Sequence, residues 1–408
     1  NTNHFDILAY YHGNPEMHPS NPTGFYEISE NAEKLEIIVQ KLSNTLNGGT
    51  VYARVSSKVF NYSLKKTSIE YLLASRYLLK KALINYRQSK GMAIKQFTND
   101  HHALPSNFQV AKFLILLIKN KISRILYGAF YEKSWNIMKG NLDEINFEAK
   151  NFLTVKNHST ALIEKRYSFY TDQFFSQSEN IIRVEAMNKI SNKGEIVELS
   201  QDTLEFKRVI LGDSKNHYSY PFTFIDQNNE FILPEVASHS KQFVIKKPYQ
   251  EKDKIFLKGL EQELIDPTLI KLKGVYYLFA GLSSFGTTEQ NLFYSVDSFI
   301  GPYQPHHLNP IVVNPKGARN AGRIYEKNGE LFRFGQNNTT SYGNGIVINK
   351  IIEISDEKYS EEEVGSIYFT DCSGPHTIDI KNEEIILDFY KDKFNIFAGL
   401  NRIKNRFF

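Results

Sequence analysis

A pattern that recurs five times in the C-terminal two-thirds of the chain is the strongest constraint on its fold. Each copy has a polar residue, an apolar strand, a tight turn and a second apolar strand. The copies begin at residues 172, 220, 266, 320 and 376, with spacings of 48, 46, 54 and 56 residues. These spacings approach the about 40–50 residues of a four-stranded propeller blade. The sequence therefore predicts a mainly β fold with a five-bladed β-propeller over residues 136–408.

Two other all-β folds are alternatives to the propeller, a β-sandwich and a β-helix. A sandwich would show strands about every 8–12 residues but no longer period. The aromatic content of 13%, mostly Phe and Tyr, also favours strands.

Cysteine content and hydropathy indicate the cellular compartment in which the chain is expected. Cys372 is the single cysteine, so neither an intrachain disulfide nor a thiolate metal site can form. This is typical of a reducing compartment, and we expect a cytoplasmic location. The longest apolar run, residues 113–118, is far shorter than the about 20 residues needed to span a membrane. Because the chain begins with Asn1 and not Met, we expect a fragment or a processed chain.

Positive charge is concentrated in one segment. Residues 51–135 contain 15 basic and 3 acidic residues, whereas the whole chain has a net charge of only +4. Apolar residues with a helical period occupy residues 68–89 and 108–131 of this segment. We predict a basic helical linker over 61–135. It is either simply solvated or in peripheral contact with an anionic surface, such as the inner membrane or a phosphorylated lipid carrier. Nucleic acid is not expected, because no recognised binding motif accompanies the charge.

The polar residues that begin the copies are the candidate site residues. In a propeller the innermost strand of each blade lines the central channel, so these side chains converge. Carboxylates, a histidine and arginines in one concave site suit acid/base or glycosyl-transfer chemistry. The candidate catalytic residues are Asp172, Glu235, Asp266 and His376. The candidates for substrate binding are Glu185, His217, Arg319 and Arg323.

Each candidate also has a structural alternative. Asp266 and His376 adjoin prolines and suit turns, Glu235 suits a solvated strand end, and Arg319 suits a structural ion pair. Motifs for dinucleotides, for phosphate loops and for metal-dependent catalysis are absent from the sequence. We therefore predict no cofactor and no metal.

The C-terminal part of the chain resembles the propeller-like domain of the glucosamine inositolphosphorylceramide transferase family. The matching motifs are HYSYPF (217–222), LPE (233–235), DPT (266–268), SFIGPY (298–303), LNP (308–310), ARNAGR (318–323), YG (342–343), YSEEE (359–363) and GPHT (374–377). Plant members carry a separate glycosyltransferase domain after this one, whereas bacterial relatives lack it and are associated with surface-polysaccharide synthesis.

The resemblance implies a carbohydrate-active, glycosyltransferase-like enzyme with its site at the propeller axis. Its partners would be a sugar nucleotide or sugar phosphate and a glycan or lipid-linked acceptor. Two alternatives stay open: a non-catalytic glycan-binding or scaffold propeller, and an amino-sugar N-formyltransferase.

The first 60 residues resemble the second half of the formyltransferase α/β domain. The matching features are FDIL (5–8), His12, GFYE (24–27), Gln40 and LNGG (46–49). In that family an Asn, a His and an Asp carry the chemistry. Here Tyr10 replaces the Asn and Asn47 replaces the Asp, and an amide does not stabilise an imidazolium as a carboxylate does. We interpret residues 1–60 as a truncated, degenerate formyltransferase-like segment.

Overall fold

A computed structural model describes residues 6–13, 22–43, 49–93, 104–237, 241–283, 288–296 and 298–407. The chain divides into two compact units, which we call the N-terminal unit (up to Phe130, with Val313–Pro315) and the β-rich unit (from Tyr131). The described residues form 27 strands and five α-helices, so the protein is mainly β, as predicted. Within this part of the chain, no helix combines the length and the apolarity needed to cross a bilayer.

The N-terminal unit contains one antiparallel sheet with helices. In chain order its elements are β1 (Leu8–His12), α1 (Phe25–Ser29), β2 (Lys34–Leu42), β3 (Gly49–Lys58), α2 (Leu64–Ser75), α3 (Leu78–Arg87), β4 (Met92–Ala93) and α4 (Asn107–Phe130). The strand order is β1-β2-β3-β4. Alternate apolar residues of β2 and β3, such as Ile37, Val39 and Val55, face a core shared with Leu78 and Phe113.

The sequence-based expectations for this unit have mixed outcomes. The predicted helices are confirmed, although the first is interrupted between Ser75 and Leu78. The helices α2 and α3 pack on β3, within the stretch that we interpret as a linker. The formyltransferase-like interpretation stays a prediction, and Asn47, on which part of it depends, lies outside the described residues.

The β-rich unit contains the remaining elements, listed here in chain order: β5 (Tyr131–Asn141), β6 (Lys150–Leu153), β7 (Ser159–Thr160), β8 (Tyr167–Phe175), β9 (Ile181–Asn188), β10 (Gly194–Ser200), β11 (Phe206–Leu211), β12 (His217–Asp226), β13 (Asn229–Ala237), β14 (Phe243–Lys246), β15 (Lys254–Phe256), β16 (Leu264–Leu272), β17 (Val275–Leu282), β18 (Glu289–Val296), β19 (Gln304–Pro305), β20 (Val312–Val313), β21 (Lys316–Asn320), β22 (Tyr325–Lys327), β23 (Glu330–Asn337), β24 (Ile346–Ile354), β25 (Tyr359–Phe369), β26 (Ile378–Lys381), β27 (Glu384–Phe394) and α5 (Ala398–Phe407).

These strands form five sheets in the described part of the unit. Their strand orders are β8-β9-β10-β11, β12-β13-β14-β15, β16-β17-β18-β19, β21-β23-β24-β25-β6 and β26-β27-β5-β7. We number them sheets 1 to 5 in that order. Four of the five predicted hairpins are confirmed, because the first two strands of sheets 1, 2, 3 and 5 are antiparallel partners at the predicted positions. In the fourth copy the predicted first strand, residues 320–324, lies between β21 and β22 instead, and both of these strands pair with β23.

Strands from the beginning of the unit complete its last two sheets. The strand β5 pairs with β27 along its whole length, from Asn141 opposite Glu384 to Tyr131 opposite Phe394. The strand β6 pairs in parallel with β25. Because β5 begins at Tyr131, the β structure reaches into the segment predicted as helical. This pairing joins the two ends of the unit.

An irregularity at the same point of the first strand occurs in sheets 1, 2 and 3. The ladder register shifts after Thr171, Ser219 and Ile265. Asp172, Tyr220 and Asp266 follow these positions and adopt φ values of 50°, 46° and 48°. A bulge of this kind re-aims a side chain, and a left-handed conformation at a non-glycine residue costs about 1–3 kcal/mol. Three equivalent bulges therefore indicate a shared site.

Candidate functional site

His376 lies between two carboxylates at the centre of the site. Its Nε2 is 3.1 Å from Asp172 Oδ1 in sheet 1, and its Nδ1 is 2.6 Å from Asp388 Oδ2 in sheet 5. All three side chains are buried. The bulge in β8 explains this approach, because it turns the side chain of Asp172 toward His376.

Neighbouring hydroxyls and amides fix these two carboxylates. The Thr377 hydroxyl donates to Asp172 (2.8 Å) and the Thr171 hydroxyl donates to Asp388 (2.8 Å). The backbone amides of His376 and Thr377 also donate to Asp388, at 2.8 and 3.0 Å. These hydrogen bonds preorganise both carboxyl groups of the site.

Electrostatics keep His376 charged. Burial acts to lower its pKa, but the charges of Asp388 and Asp172 outweigh burial and raise the pKa to about 10. For Asp172, burial acts to raise the pKa, yet His376 and the hydrogen bond from Thr377 lower it to about 2. At neutral pH His376 is thus an imidazolium that lies between the carboxyl groups of Asp172 and Asp388.

This charge state predicts a pH dependence of stability. A histidine has an ordinary pKa of 6.5, and that of His376 is about 10 in the folded protein. Its contribution is therefore fully present below pH 6.5 and is lost as the pH rises toward 10. We expect the thermal midpoint of the β-rich unit to fall over this range more steeply in the wild type than in His376→Gln. The fluorescence of Trp135, the single tryptophan, reports the unfolding of this unit. Equal slopes for the two proteins would contradict the assignment.

Glu185 and His217 extend the site from sheets 1 and 2. Glu185 Oε1 is 3.3 Å from His217 Nε2, and His217 Nδ1 accepts a hydrogen bond from the Gly194 amide (2.9 Å). Burial, followed by the charge of Asp172, raises the pKa of Glu185 well above its usual value. Burial lowers the pKa of His217. Both shifts favour the uncharged form of the side chain. We call Asp172, Glu185, His217, His376 and Asp388 the histidine cluster.

A second group, the arginine cluster, comprises Glu235, Asp266, Arg319 and Gln336 from sheets 2, 3 and 4. Arg319 binds Asp266 through Nε and through Nη2 (3.1 Å to Oδ1). Gln336 donates to Asp266 Oδ2 at 2.9 Å. Glu235 Oε2 accepts from the Asp266 amide (2.9 Å) and lies 4.0 Å from Arg319 Nη2. Burial, and then the charge of Asp266, raise the pKa of Glu235 to about 8.

Tyr342 lies between the two clusters. Its ring centroid is 5.3 Å from the His376 ring and also 5.3 Å from the Arg319 guanidinium carbon. A Cβ at Gly343 would lie 2.9 Å from His376 Cβ, so glycine allows this close approach of the loop. The charge of Arg319 also helps to lower the pKa of Asp172, which couples the clusters. The two clusters therefore form one site, to which all five sheets contribute.

Arg323 takes a different place from the other candidates. Its Nε lies 3.0 Å from Asp379 Oδ1, and its Nη1 donates to the Thr223 carbonyl at 2.6 Å. Asp379 also accepts from the Phe175 amide. Arg323 thus ties strands of sheets 1, 2 and 5 together, and these contacts give it a structural role.

The sequence analysis missed Asp388, Tyr342 and Trp135. Asp388 follows the second apolar strand of the fifth copy, as Glu185 and Glu235 do in the first two, and this position was the available signal. Trp135 packs on His376, with ring centroids 4.4 Å apart, but belongs to β5. Nothing in the local pattern relates β5 to the fifth copy, more than 200 residues away.

Ligand atoms of Asp172, His376 and Asp388 lie within 4.8 Å of one another, which raises the question of a metal ion. A metal-binding histidine is neutral and presents a ring lone pair. Here a carboxylate oxygen lies 3.1 Å from Nε2 and another lies 2.6 Å from Nδ1, so both ring nitrogens already have an acidic neighbour. These residues fit an ion-paired imidazolium better than a metal centre.

The five sheets and the two clusters define a mainly β protein with a buried group of ionisable side chains contributed by every sheet. More particularly, the chain belongs to the family described as glucosamine inositolphosphorylceramide transferase 1, N-terminal, whose model matches residues 149–376, more than half of the chain. The resemblance predicted for the C-terminal part is thereby confirmed. The matched range includes every predicted site residue, whereas Asp388 and Trp135 lie outside it.

Curated relatives carry the name glucosamine inositolphosphorylceramide transferase 1. The protein of Oryza sativa subsp. japonica is 33% identical over 173 residues, covering 40% of this chain and 22% of the relative. That of Arabidopsis thaliana is 32% identical over 162 residues, covering 37% and 21%. The chain thus matches about a fifth of the length of these relatives.

Similar solved structures include two glycoside hydrolases. A thermostable family-43 enzyme is 15% identical, with a TM-score of 0.37 and coverage of 48% of this chain and 74% of that chain. A family 117 enzyme from Zobellia galactanivorans is 11% identical, with a TM-score of 0.39 and coverage of 64% and 91%. Both similarities are distant.

Proposed function

We propose that the β-rich unit is a five-bladed β-propeller that catalyses glycosyl transfer at the joined clusters, in the synthesis of a bacterial surface polysaccharide. Five sheets, each opened by one sequence copy, support the blade count. Membership of the family supports sugar chemistry. The donor would be a sugar nucleotide or sugar phosphate, and the acceptor a glycan or a lipid-linked sugar.

The observation that carries this proposal is the separation of carboxyl pKa values within one site. Asp172 has a pKa of about 2 and stays ionised, whereas Glu235 has a pKa of about 8. When two carboxyl groups of one site have well-separated pKa values, one can transfer a proton while the other keeps a fixed charge. A group with a pKa near the working pH is suited to general acid/base catalysis.

The groups then take distinct roles. As the acceptor oxygen bonds to the sugar C1, the bond from C1 to the phosphate oxygen breaks, and the phosphate leaves with the bonding electrons. The ionised fraction of Glu235 takes the proton from the acceptor hydroxyl. The carboxylates of Asp172 and Asp266 stabilise positive charge that develops on the sugar ring.

His376 and Arg319 hold these carboxylates in place. Arg319 makes a two-point contact with Asp266, and both nitrogens of His376 face carboxylates. Their ion pairs favour this positioning role over direct binding of the phosphate.

Substitution of Asp172 tests the proposal. Asp172→Asn still accepts the hydrogen bond from Thr377 but removes the charge, and we expect glycan production to fall about 100-fold or more. The assay compares cells that carry only the variant with cells that carry the exposed-site control Asp356→Asn. Undiminished production by the variant would contradict catalysis. Retained glycan binding by the purified variant would then indicate a binding or scaffold propeller.

A further inference from the structure

The helix α4 of the N-terminal unit exposes a continuous apolar face. Six aliphatic side chains on it are between 51% and 67% exposed: Leu114, Ile115, Ile118, Ile122, Ile125 and Leu126. Their spacing of three and four residues places them on one side of the helix. We call these six residues the α4 stripe. Contiguous exposed apolar surface of this kind marks an interaction site, unlike single exposed residues.

The opposite side of α4 is attached to its own unit. Phe113 is buried in the core of the unit, and Leu117 packs against that core. The Asn120 side chain donates to the Asn61 carbonyl at 2.9 Å. The helix is therefore held by one side, and the stripe faces away from the core that holds it.

Charge favours one kind of occupant for this face. At 3.6 residues per turn, Lys119 and Lys112 fall beside one edge of the stripe and Lys121 beside the other. The helix has no acidic residue, and residues 51–135 have a net charge of +12. A second copy of α4 would present the same positive charge and no carboxylate to pair with it. A surface with an apolar interior and anionic head groups complements both features.

We propose that α4 binds an anionic lipid bilayer, with its axis along the surface. The stripe would enter the boundary between head groups and acyl chains, while the flanking lysines contact lipid phosphates. The lysines contribute electrostatic attraction to the anionic surface, and burial of the aliphatic side chains contributes the rest of the affinity. This inference does not depend on the glycosyl-transfer proposal.

Co-sedimentation of the full chain with vesicles tests the inference. We expect binding to vesicles of phosphatidylcholine mixed with phosphatidylglycerol, weak binding to phosphatidylcholine alone, and a decrease with added salt. The variants Ile118→Ser/Ile122→Ser and Lys119→Glu/Lys121→Glu should each bind about tenfold more weakly or worse. Matched controls at exposed positions of the β-rich unit, Ile190→Ser and Lys207→Glu, should bind as the wild type does.

Three results would overturn the inference. The first is that the wild type sediments with neither kind of vesicle, and the second is that both double variants bind as tightly as the controls. A concentration-dependent dimer in solution that both double variants abolish, without vesicle binding, would show that a second copy covers the stripe instead. Because all four substituted side chains are exposed, each variant should keep the thermal midpoint of the wild type, and the two variants test the stripe and its charges separately.

Discussion

Replacing His376 by Gln is expected to lower the free energy of unfolding of the β-rich unit by about 3–5 kcal/mol. The substitution removes the buried positive charge that Asp172 and Asp388 share. Two carboxylates then remain in a buried site, where solvent does not screen their charges. Loss of one partner from a buried ion pair is among the most destabilising single substitutions. Denaturant unfolding followed by Trp135 fluorescence measures the effect.

Two further variants make this result specific. In His376→Gln/Asp388→Asn, one of the uncompensated charges is also removed, so part of the lost stability should return. His307→Gln, at an exposed histidine, should change the free energy by no more than about 0.5 kcal/mol. Stability of His376→Gln equal to that of the wild type would mean that His376 is not the counter-charge of these carboxylates.

Replacing Glu235 by Gln is expected to reduce glycosyl transfer by about 100- to 10,000-fold, the usual contribution of a general acid/base group. The amide keeps the size of the side chain and its acceptance of the hydrogen bond from the Asp266 amide. It cannot take up or release a proton. Because the wild-type carboxyl is raised to a pKa of about 8, activity should increase as the pH rises through that value and the base becomes ionised.

The appropriate control is Glu357→Gln, at an exposed carboxyl. It should leave both the rate and its pH profile unchanged. Sugar binding by Glu235→Gln should persist, because the Glu235 carboxyl takes the acceptor proton during the reaction and is not needed to bind the substrate beforehand. A variant with wild-type transfer would remove Glu235 from the mechanism, and a variant that loses binding and transfer equally would assign it to substrate binding.

The local pattern was sufficient to predict the hairpins of the β-rich unit. The alternation of apolar residues and turn residues such as Lys273-Gly274 lie within about ten residues of each other, and four of the five hairpins formed where they were predicted. The fourth differs, because its first strand ends at Asn320, where the predicted strand begins. The polar residue before each strand also identified Asp172, Asp266 and His376, because equivalent positions in a repeat acquire equivalent orientations.

The local sequence pattern could not predict the long-range pairing of strands or the pKa shifts of the site. Sheet 5 is completed by β5, whose partner strand β27 lies more than 200 residues away in the sequence. The residues around Trp135 therefore give no indication that it packs against His376. The bulges that turn Asp172 and Asp266 toward their neighbours depend on the paired strand. The raised pKa of Glu235 depends on burial and on Asp266, both of which are properties of the folded site.

The protonation state of Glu235 in the folded protein is the most direct test of the proposed site. The difference in infrared absorption between the wild type and Glu235→Gln, recorded from pH 5 to pH 10, isolates this one carboxyl group. A protonated carboxyl band that is present at neutral pH and disappears around pH 8 would agree with the account. A band already lost near the ordinary glutamate pKa of about 4.3 would contradict it.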